Sequence, residues 1–447
     1  MTLPGVPVVA RRARPIVRQV RRILAGIRLR GRFRRRAGVL AFLAVMGPGI
    51  IAGMAGNDAG GIATYSVLGA RTGLSLLWLF PVMIVILAVV QEIAARLGVV
   101  TGQGLSDLIR ERFGVRWTAF AMVILLVANV AQTVANFAGI AAAAEIFGIP
   151  SIIAVPLVGL GLWTLIVLAS AKTVERVFLS VIVVFGLYVA SAFLAGPDWS
   201  AVGRALVTPY VPLDAATLVL AVALVGTTIT PFMQFYLQSA VAEKGIGEEE
   251  LGLGRADAVV GSVWTNVVAM FIVIAVATTL FGTGVAVHTA GEAAQALEPV
   301  AGSFATALFA IGLFGASCLA ATILPITTAF VICEAFGWES GVEKGRRDAP
   351  TFYGIFTFVL VVGALVVLLP GLDPIPLILA TQNLQALLLP VVLVFMILLA
   401  NDRRFLGDRV NGRVANVLAW GAVGLVVALD LVLLIVSGLG AFGVQIA

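Results

Sequence analysis

Asp58 lies in a stretch of the sequence, residues 47–61, that reads GPGIIAGMAGNDAGG. Apolar runs flank this stretch, and its six glycines and one proline disfavour a continuous helix. A charge at the centre of a bilayer costs at least about 2.5 kcal/mol, so a carboxylate in such a segment indicates a functional site. Because a broken helix also frees backbone carbonyls, the chemistry that this arrangement favours is the binding of a cation.

The other residues with ligand or catalytic chemistry favour structural roles. Cys318 and Cys333 lie in apolar runs, which predicts neither a disulfide framework nor a metal cluster. His288, in GVAVHTAGEAA, has the surroundings of a solvated loop residue, which argues against histidine catalysis and His-rich zinc binding. We also expect structural roles for the remaining acids in or near apolar runs, which are Glu92, Glu145, Glu334 and Asp430. Glu92, for example, can pair with Arg96 one helical turn further along.

The composition indicates an all-α integral membrane protein. Of 447 residues, 61% are hydrophobic and 12% are charged, against about 25% charged in a typical soluble domain. A spanning helix needs roughly 20 apolar residues. Hydropathy predicts eleven transmembrane helices at 38–68, 75–98, 117–146, 151–171, 174–196, 215–242, 256–283, 302–336, 352–371, 375–400 and 415–440.

The basic residues predict the orientation, because loops on the cytoplasmic side are rich in Lys and Arg. The first 36 residues hold twelve arginines, and with this end inside only Arg71 and Arg204 of the 29 basic residues fall outside. We therefore expect a multi-pass protein of the cell's inner (plasma) membrane, with a cytoplasmic amino terminus and an external carboxyl terminus. Residues 1–36 are interpreted as a basic tail that contacts anionic lipid, not as a nucleic-acid-binding or secretory segment, and residues 37–447 as the transmembrane domain.

Two of the predicted spans interrupt their own helices. The first is broken around GNDAGG (56–61), and the sixth, VALVGTTITPFMQFYLQSAVAEK, is broken between Gly226 and Pro231. Five spans separate the breaks, which is typical of a five-plus-five inverted repeat with two unwound segments near the bilayer midplane. Spans one to five then lie within 37–200, spans six to ten within 213–401, and span eleven within 415–440. Alternatively, Gly49 and Gly53 only let helices approach closely.

Three segments, matching in order, resemble the Nramp family of divalent-metal transporters. The run at 47–61 continues through GLSLLWLFPVMIVILAVVQEIAARLGVVTGQGLSDLIRERFG, and the similarity extends through VERVFLSVIVVFGLYVASAFLAGPDW (174–199) and TQNLQALLLPVVLVFMILLANDRRFLGDRVNG (381–412). The resemblance covers nearly the whole chain after the basic tail. It implies a LeuT-type fold that carries divalent cations into the cytoplasm.

The chain departs from the family pattern at the positions that hold the metal. The family's Asp-Pro-Gly-Asn stretch is here Asp58-Ala59-Gly60-Gly61, and its Met-Pro-His stretch is Thr230-Pro231-Phe232. The second histidine of span six falls on Gln238. The Asp and Glu of the proton path in span three fall on Thr133 and Asn136, whereas the glutamine of span ten is retained as Gln382.

These departures predict a change of cargo. Loss of a thioether at Thr230 and of an amide at Gly61 favours hard cations in a roomier, oxygen-lined cavity, and resembles the Nramp-related magnesium transporters. The predicted ligands are the Asp58 carboxylate together with the set Ala55, Gly61, Thr227, Thr230 and Gln382, with the backbone carbonyls of Ala55 and Thr227 taking part. Thr230 could instead only cap the broken helix.

The prediction is therefore an importer of Mg²⁺ and Mn²⁺ that binds a partly hydrated ion, has no resident cofactor and is not proton-coupled. A proton relay needs titratable groups, which Thr133, Asn136, Phe232 and Gln238 do not supply. The alternatives left open are a proton-coupled Mn²⁺/Fe²⁺ importer of the ordinary Nramp type and a sodium-coupled small-solute transporter of the same fold. An enzyme is disfavoured, because an intramembrane protease would need a second catalytic group at the depth of Asp58.

Overall fold

A computed structural model describes residues 47–212, 214–284, 290–369 and 374–441, and these ranges contain helices and turns without a β-strand. The predicted tail 1–36, the start of the first span and His288 lie outside them. The helices are α1 (Pro48–Ala55), α2 (Ala59–Thr72), α3 (Leu79–Thr101), α4 (Leu105–Phe113), α5 (Val115–Ile146), α6 (Ser151–Leu168), α7 (Ala171–Val184), α8 (Gly186–Leu194), α9 (Trp199–Val207), α10 (Ala215–Thr228), α11 (Pro231–Lys244), α12 (Leu251–Leu280), α13 (Ala290–Phe336), α14 (Pro350–Val367), α15 (Pro374–Ala400), α16 (Arg403–Leu406) and α17 (Arg413–Ala441).

Nine helices among the described residues are long and apolar enough to cross a membrane. The number is ten if the bent pair Gln385–Ala400 and Arg403–Arg409 counts as one span. The first broken span is not among them, because α1 has 8 residues, α2 has 14, and the residues before Gly47 lie outside the described ranges. An all-helical membrane protein is thus confirmed, whereas the count of eleven spans stays a prediction.

The first predicted break is confirmed at residues 56–58. α1 ends at Ala55, where the Gly56 N–H bonds to the Gly53 carbonyl at 3.2 Å, and α2 begins at Ala59. Asp58 is the N-cap of α2 in an extended conformation. The break therefore places the only carboxylate of this stretch at the start of a half-helix.

The second predicted break is confirmed at Ile229 and Thr230, between α10 and α11. Pro231 is the first residue of α11 and has no backbone N–H. The Thr227 carbonyl, whose helical partner would be the amide four residues on, is left without one. The proline in the sequence is thus a direct cause of the break.

α1 packs along its length against α12, the seventh predicted span. Gly49 and Gly53 lie so close to α12 that an added Cβ would stand 2.6 Å from the Ala258 nitrogen and 2.8 Å from the Gly261 carbonyl oxygen respectively. The Thr265 hydroxyl donates to the Gly53 carbonyl at 2.8 Å. Close helix approach therefore does explain Gly49 and Gly53, but it acts beside the break and does not replace it.

Candidate cation-binding site

The Asp58 carboxylate is buried, with 1% of the residue exposed, and receives hydrogen bonds from neutral donors only. The Gly61 N–H donates to Oδ1 at 2.8 Å. The side-chain amides of Gln132 and Asn136 donate to Oδ2, the latter at 3.2 Å. Among the described residues, no Lys or Arg pairs with Asp58. The carboxylate is therefore held in place by neutral donors and has no basic partner among the described residues.

Gln132 and Asn136 were not predicted as part of the site. They lie four residues apart on α5, so both side chains face the first break. The Asn136 oxygen also accepts the Ala59 N–H at 3.0 Å, which ties α5 to the first turn of α2. This four-residue spacing of amides in the predicted third span was a signal available in the sequence.

Gln382 contacts the same group of side chains from α15. Its Nε2 donates to Gln132 Oε1 at 3.3 Å, and an added Cβ on Gly60 would collide with that Nε2. The tenth span thus contacts the start of α2 directly. The glycine at position 60 is what allows this approach.

Three of the predicted ligands present buried oxygens without a hydrogen-bond partner among the described residues. These atoms are Thr227 Oγ1, Thr230 Oγ1 and Gln382 Oε1. Each residue is at most 2% exposed. Thr230 does not cap α11 with its side chain, so the purely structural explanation of its hydroxyl does not hold here. Buried polar groups normally find partners, and unpartnered ones need an explanation such as an ion or water.

The predicted backbone ligands are also free. The Ala55 carbonyl receives no hydrogen bond from the described residues, because the amide four residues on, of Ala59, is taken by Asn136. Thr227 lacks its donor because of Pro231, as described above. Two carbonyls at the ends of half-helices, which carry the negative end of the helix dipole, are thus available to a cation.

Gly61 does not open the cavity in the way the sequence suggested. An added Cβ would lie 2.8 Å from the Gly56 carbonyl oxygen and 3.1 Å from Thr227 Oγ1. The space left by the missing side chain is filled by the backbone of the break and by a hydroxyl. The expected extra room is therefore absent at Gly61, although the oxygen lining is present.

Met233 is a third residue that sequence reasoning did not assign to the site. Its terminal methyl occupies the place where a Cβ on Gly56 would stand, and its Sδ accepts from Gln91 Nε2 at 3.8 Å. Met233, one turn after Thr230 on α11, thus brings a thioether to the first break. A methionine three residues after the aligned position was visible in the sequence, but its direction was not.

The site contains a single titratable group. Within the described residues there is no group of three or more His, Cys, Asp or Glu that could hold a metal ion. Thr133 bonds back to the Asn129 carbonyl at 2.7 Å, and Phe232 and Gln238 are fully buried neutral side chains.

The acids for which we expected structural roles differ in their hydrogen-bond and ion-pair partners. Glu92 pairs with Arg96 at 3.2 Å, as predicted, and also with Arg255 at 2.6 Å. Glu334 is buried beside a hydroxyl with no basic partner, and Asp430 in α17 has an unpartnered oxygen. Cys318 and Cys333 are free thiols.

Sequence comparison relates residues 49–436 to the family model for Nramp, Natural resistance-associated macrophage protein-like. The divalent metal cation transporter MntH of Deinococcus radiodurans is 29% identical over 421 residues, covering 91% of this chain and 92% of that protein. MntH of Granulibacter bethesdensis is 28% identical over 401 residues, covering 87% of each.

Solved structures similar to this one have the LeuT-type fold that was predicted. The manganese transporter of Eremococcus coleocola superposes with a TM-score of 0.70 at 22% identity, covering 88% of this chain and 86% of that one. Mhp1, a nucleobase-cation-symport-1 family transporter, gives 0.52 at 15% identity over 78% and 77% of the chains. These likenesses concern the fold, and the cargo must be argued from the site.

Proposed function

The chain belongs to the Nramp family, and on that premise we propose that it imports Mg²⁺, and also Mn²⁺, as partly hydrated ions without moving protons. It is a multi-pass divalent metal cation transporter of the MntH type, and its ion is cargo, not a cofactor. The proposed site consists of Asp58 with the set Ala55, Gly61, Thr227, Thr230 and Gln382. Gly61 supports the site by donating its N–H to the Asp58 carboxylate, and the other residues supply the ligand atoms.

The choice of cargo rests on a lone buried carboxylate, Asp58, at the first break, with the neutral side chains of Thr227 and Gln382 next to Gly61 and Gly60 and a further unpartnered hydroxyl, of Thr230, at the second break. Hard cations such as Mg²⁺ take oxygen ligands, keep several waters and are held by one or two carboxylates. The oxygens of Thr227, Thr230 and Gln382 are suited to bind those waters, directly or by bridging. Affinity should be modest, because one carboxylate leaves much of the ion's charge to its own water.

The absence of coupling follows from the neutral surroundings of Asp58. Its partners Gln132 and Asn136 are amides, and Thr133, Phe232 and Gln238 cannot exchange protons near neutral pH. Membrane potential alone favours entry of a divalent ion by about 4.6 kcal/mol per 100 mV, twice the value for a single charge. Accumulation therefore needs no proton gradient.

We propose from the distribution of basic residues that the protein lies in the plasma (inner) membrane with its amino terminus in the cytoplasm. The twelve arginines of residues 1–36 would then lie against anionic lipid on the cytoplasmic leaflet.

The test is uptake into proteoliposomes under a Mg²⁺ gradient, with internal Mg²⁺ and internal pH followed together. We expect Mg²⁺ entry without acidification, and loss of most uptake in Asp58→Ala. Asp198→Ala, which alters an exposed carboxylate outside the site, is the matched control. Acidification in step with Mg²⁺ would contradict uncoupled transport, and parental uptake by Asp58→Ala would contradict the site.

A proton-coupled transition-metal importer is the second candidate, because Met233 places a soft sulfur beside Gly56. Mn²⁺ uptake that a large excess of Mg²⁺ leaves unchanged would favour this candidate over the first.

A further inference from the structure

Glu334 is a buried carboxylate that the proposed transport site does not use. It lies near the end of α13 and is 9% exposed. The Ser106 hydroxyl donates to its Oε2 at 3.0 Å, and the carboxylate packs directly on the backbone of Gly104, where a Cβ would collide with it. No described Lys or Arg forms an ion pair with Glu334. A buried carboxylate without a cation is costly, so this one needs an explanation.

The charges around Glu334 make the deficit of positive charge larger. Arg110 pairs with Asp107 at 3.3 Å and donates its other amino group to a backbone carbonyl at the end of α13. Lys244 pairs with Glu175 at 2.6 Å. Two further carboxylates, of Asp107 and Glu243, add their negative potential at Glu334. Arg110 and Lys244 therefore pair with other groups, and neither forms an ion pair with Glu334.

A stripe of buried polar side chains on α11 connects this carboxylate with the Asp58 site. Thr230, Gln234 and Gln238 are spaced four residues apart, so they share one face of the helix. Each is at most 2% exposed, and each has at least one side-chain polar atom with no described partner. From Thr230 to Gln238 the helix rises about 12 Å. An ion leaving the site along this face would meet polar atoms at every turn.

The stripe ends beside Glu334. Ser239 is 2% exposed, and its hydroxyl lies beside the Glu334 carboxylate, close enough to interact with it. Gln238 donates its Nε2 to the Gln103 carbonyl at 3.1 Å, which leaves its Oε1 unpartnered. Gln103 is partly exposed, so the cluster lies next to solvent. The two serine hydroxyls next to Glu334 and the unpartnered Gln238 Oε1 thus supply neutral polar atoms at this end of α11.

We infer that Glu334, Ser106, Ser239 and Gln238 form a second divalent-cation site, which the ion occupies after leaving Asp58 and before reaching solvent. Carboxylate, hydroxyl and amide oxygens are the ligands that Mg²⁺ and Ca²⁺ take in proteins. A single carboxylate gives weak binding, which suits a site that must release its ion. The inference rests on the proposed function for its cargo, a divalent cation, but not on the details of the Asp58 site.

The test counts Mn²⁺ ions bound to the purified full-length protein by electron paramagnetic resonance of the unbound ion. We expect two ions per chain at saturation in the parent, one in Asp58→Ala, one in Glu334→Gln and none in the double variant. Ser239→Ala should retain the second ion with several-fold weaker affinity. Glu111→Gln, which neutralises an exposed carboxylate on the neighbouring α4, should bind as the parent does.

Equal ion counts in Glu334→Gln and the parent would overturn the second site, as would a double variant that binds as many ions as Asp58→Ala. Two ions retained by Asp58→Ala would instead refute the Asp58 site and leave Glu334 to be judged by its own variant. Size-exclusion chromatography establishes that each variant is folded. If Glu334→Gln is not, the Ser106→Ala/Ser239→Ala pair takes its place, and unchanged Mn²⁺ affinity in that pair overturns the inference.

Discussion

The Asp257 carboxylate accepts a hydrogen bond of 2.6 Å from the backbone N–H of Gly49. It also accepts from Gly47 at 3.2 Å and from Ile50 at 3.4 Å. The N-cap of α1 is Gly47, which has no side chain to satisfy these amides, so the seventh span supplies the cap from 208 residues away. The half-helix that ends at the first break is thus anchored at its start by α12.

Asp257→Ala should destabilise the protein, because it removes a charged acceptor from three amides of a buried helix start. A buried donor left without a partner costs about 1–3 kcal/mol. We expect the thermal midpoint of unfolding in detergent to fall by several degrees in Asp257→Ala. The midpoint of Asp257→Asn should lie between those of Asp257→Ala and the parent. Asp198→Ala removes the cap of the exposed α9 and serves as the control, with little change expected. Equal shifts for the two alanine variants would argue against a special role for Asp257.

Gly61→Ala should abolish most transport while the protein still folds. The new Cβ would stand 2.8 Å from the Gly56 carbonyl and 3.1 Å from Thr227 Oγ1, so the break and the hydroxyl must both shift. We expect uptake to fall about tenfold or more, since a misplacement of about 1 Å in a positioned site can cost a factor near 100. Gly161→Ala, in open space on α6, is the control. Parental uptake by Gly61→Ala would mean that the ion does not depend on this geometry.

Met233→Leu separates an oxygen-lined site from one that uses sulfur. Leucine has a similar volume but no thioether, so the packing against Gly56 changes little. If the ion is held by oxygens alone, uptake of Mg²⁺ and Mn²⁺ should fall by the same small factor. Competition uptake with Cd²⁺, a soft ion, is the sensitive measurement. A selective loss of Cd²⁺ and Mn²⁺ transport with Mg²⁺ unchanged would place sulfur in the site.

Sequence reasoning located both breaks and the buried acid because these features are local. Pro231 and the glycines around Asp58 interrupt helices whatever surrounds them, and an acid in an apolar run is visible without a structure. The freed carbonyl of Thr227 follows from Pro231 alone. That part of the site was therefore predictable.

The contacts between spans were not predictable from the same patterns. Met233 reaches Gly56, and Asp257 reaches Gly49, only because of how helices far apart in sequence are packed. The error at Gly61 has the same origin, since a missing side chain leaves space only where no neighbour fills it. Hydrophobic periodicity predicts which face of a helix is buried, but it does not predict which other helix packs against that face.

In the resemblance to the Nramp family Asn136 falls on an acid of the proton path, and in this structure its amide bonds to Asp58. Its Nδ2 donates to Asp58 Oδ2 at 3.2 Å, and its Oδ1 accepts the Ala59 N–H at 3.0 Å. An aspartate at this position would keep the second bond and bring a second carboxylate against the first. Two carboxylates at this distance cannot both be ionised without a cation, so they share a proton.

Asn136→Asp should therefore make ion binding release a proton. A divalent cation neutralises both carboxylates and displaces the shared proton, whereas in the parent Asp58 has only amides and a backbone N–H as partners. We expect about one proton per bound Mn²⁺ in the variant, read with a pH indicator in weakly buffered detergent solution, and clearly fewer in the parent. The affinity of the variant for Mn²⁺ should rise with pH by up to tenfold per unit, as displacement of one proton requires. Asn416→Asp, near the surface and away from the site, controls for an added carboxylate. Equal proton release by Asn136→Asp and the parent would show that Asn136 does not lie close enough to Asp58 to share its ion.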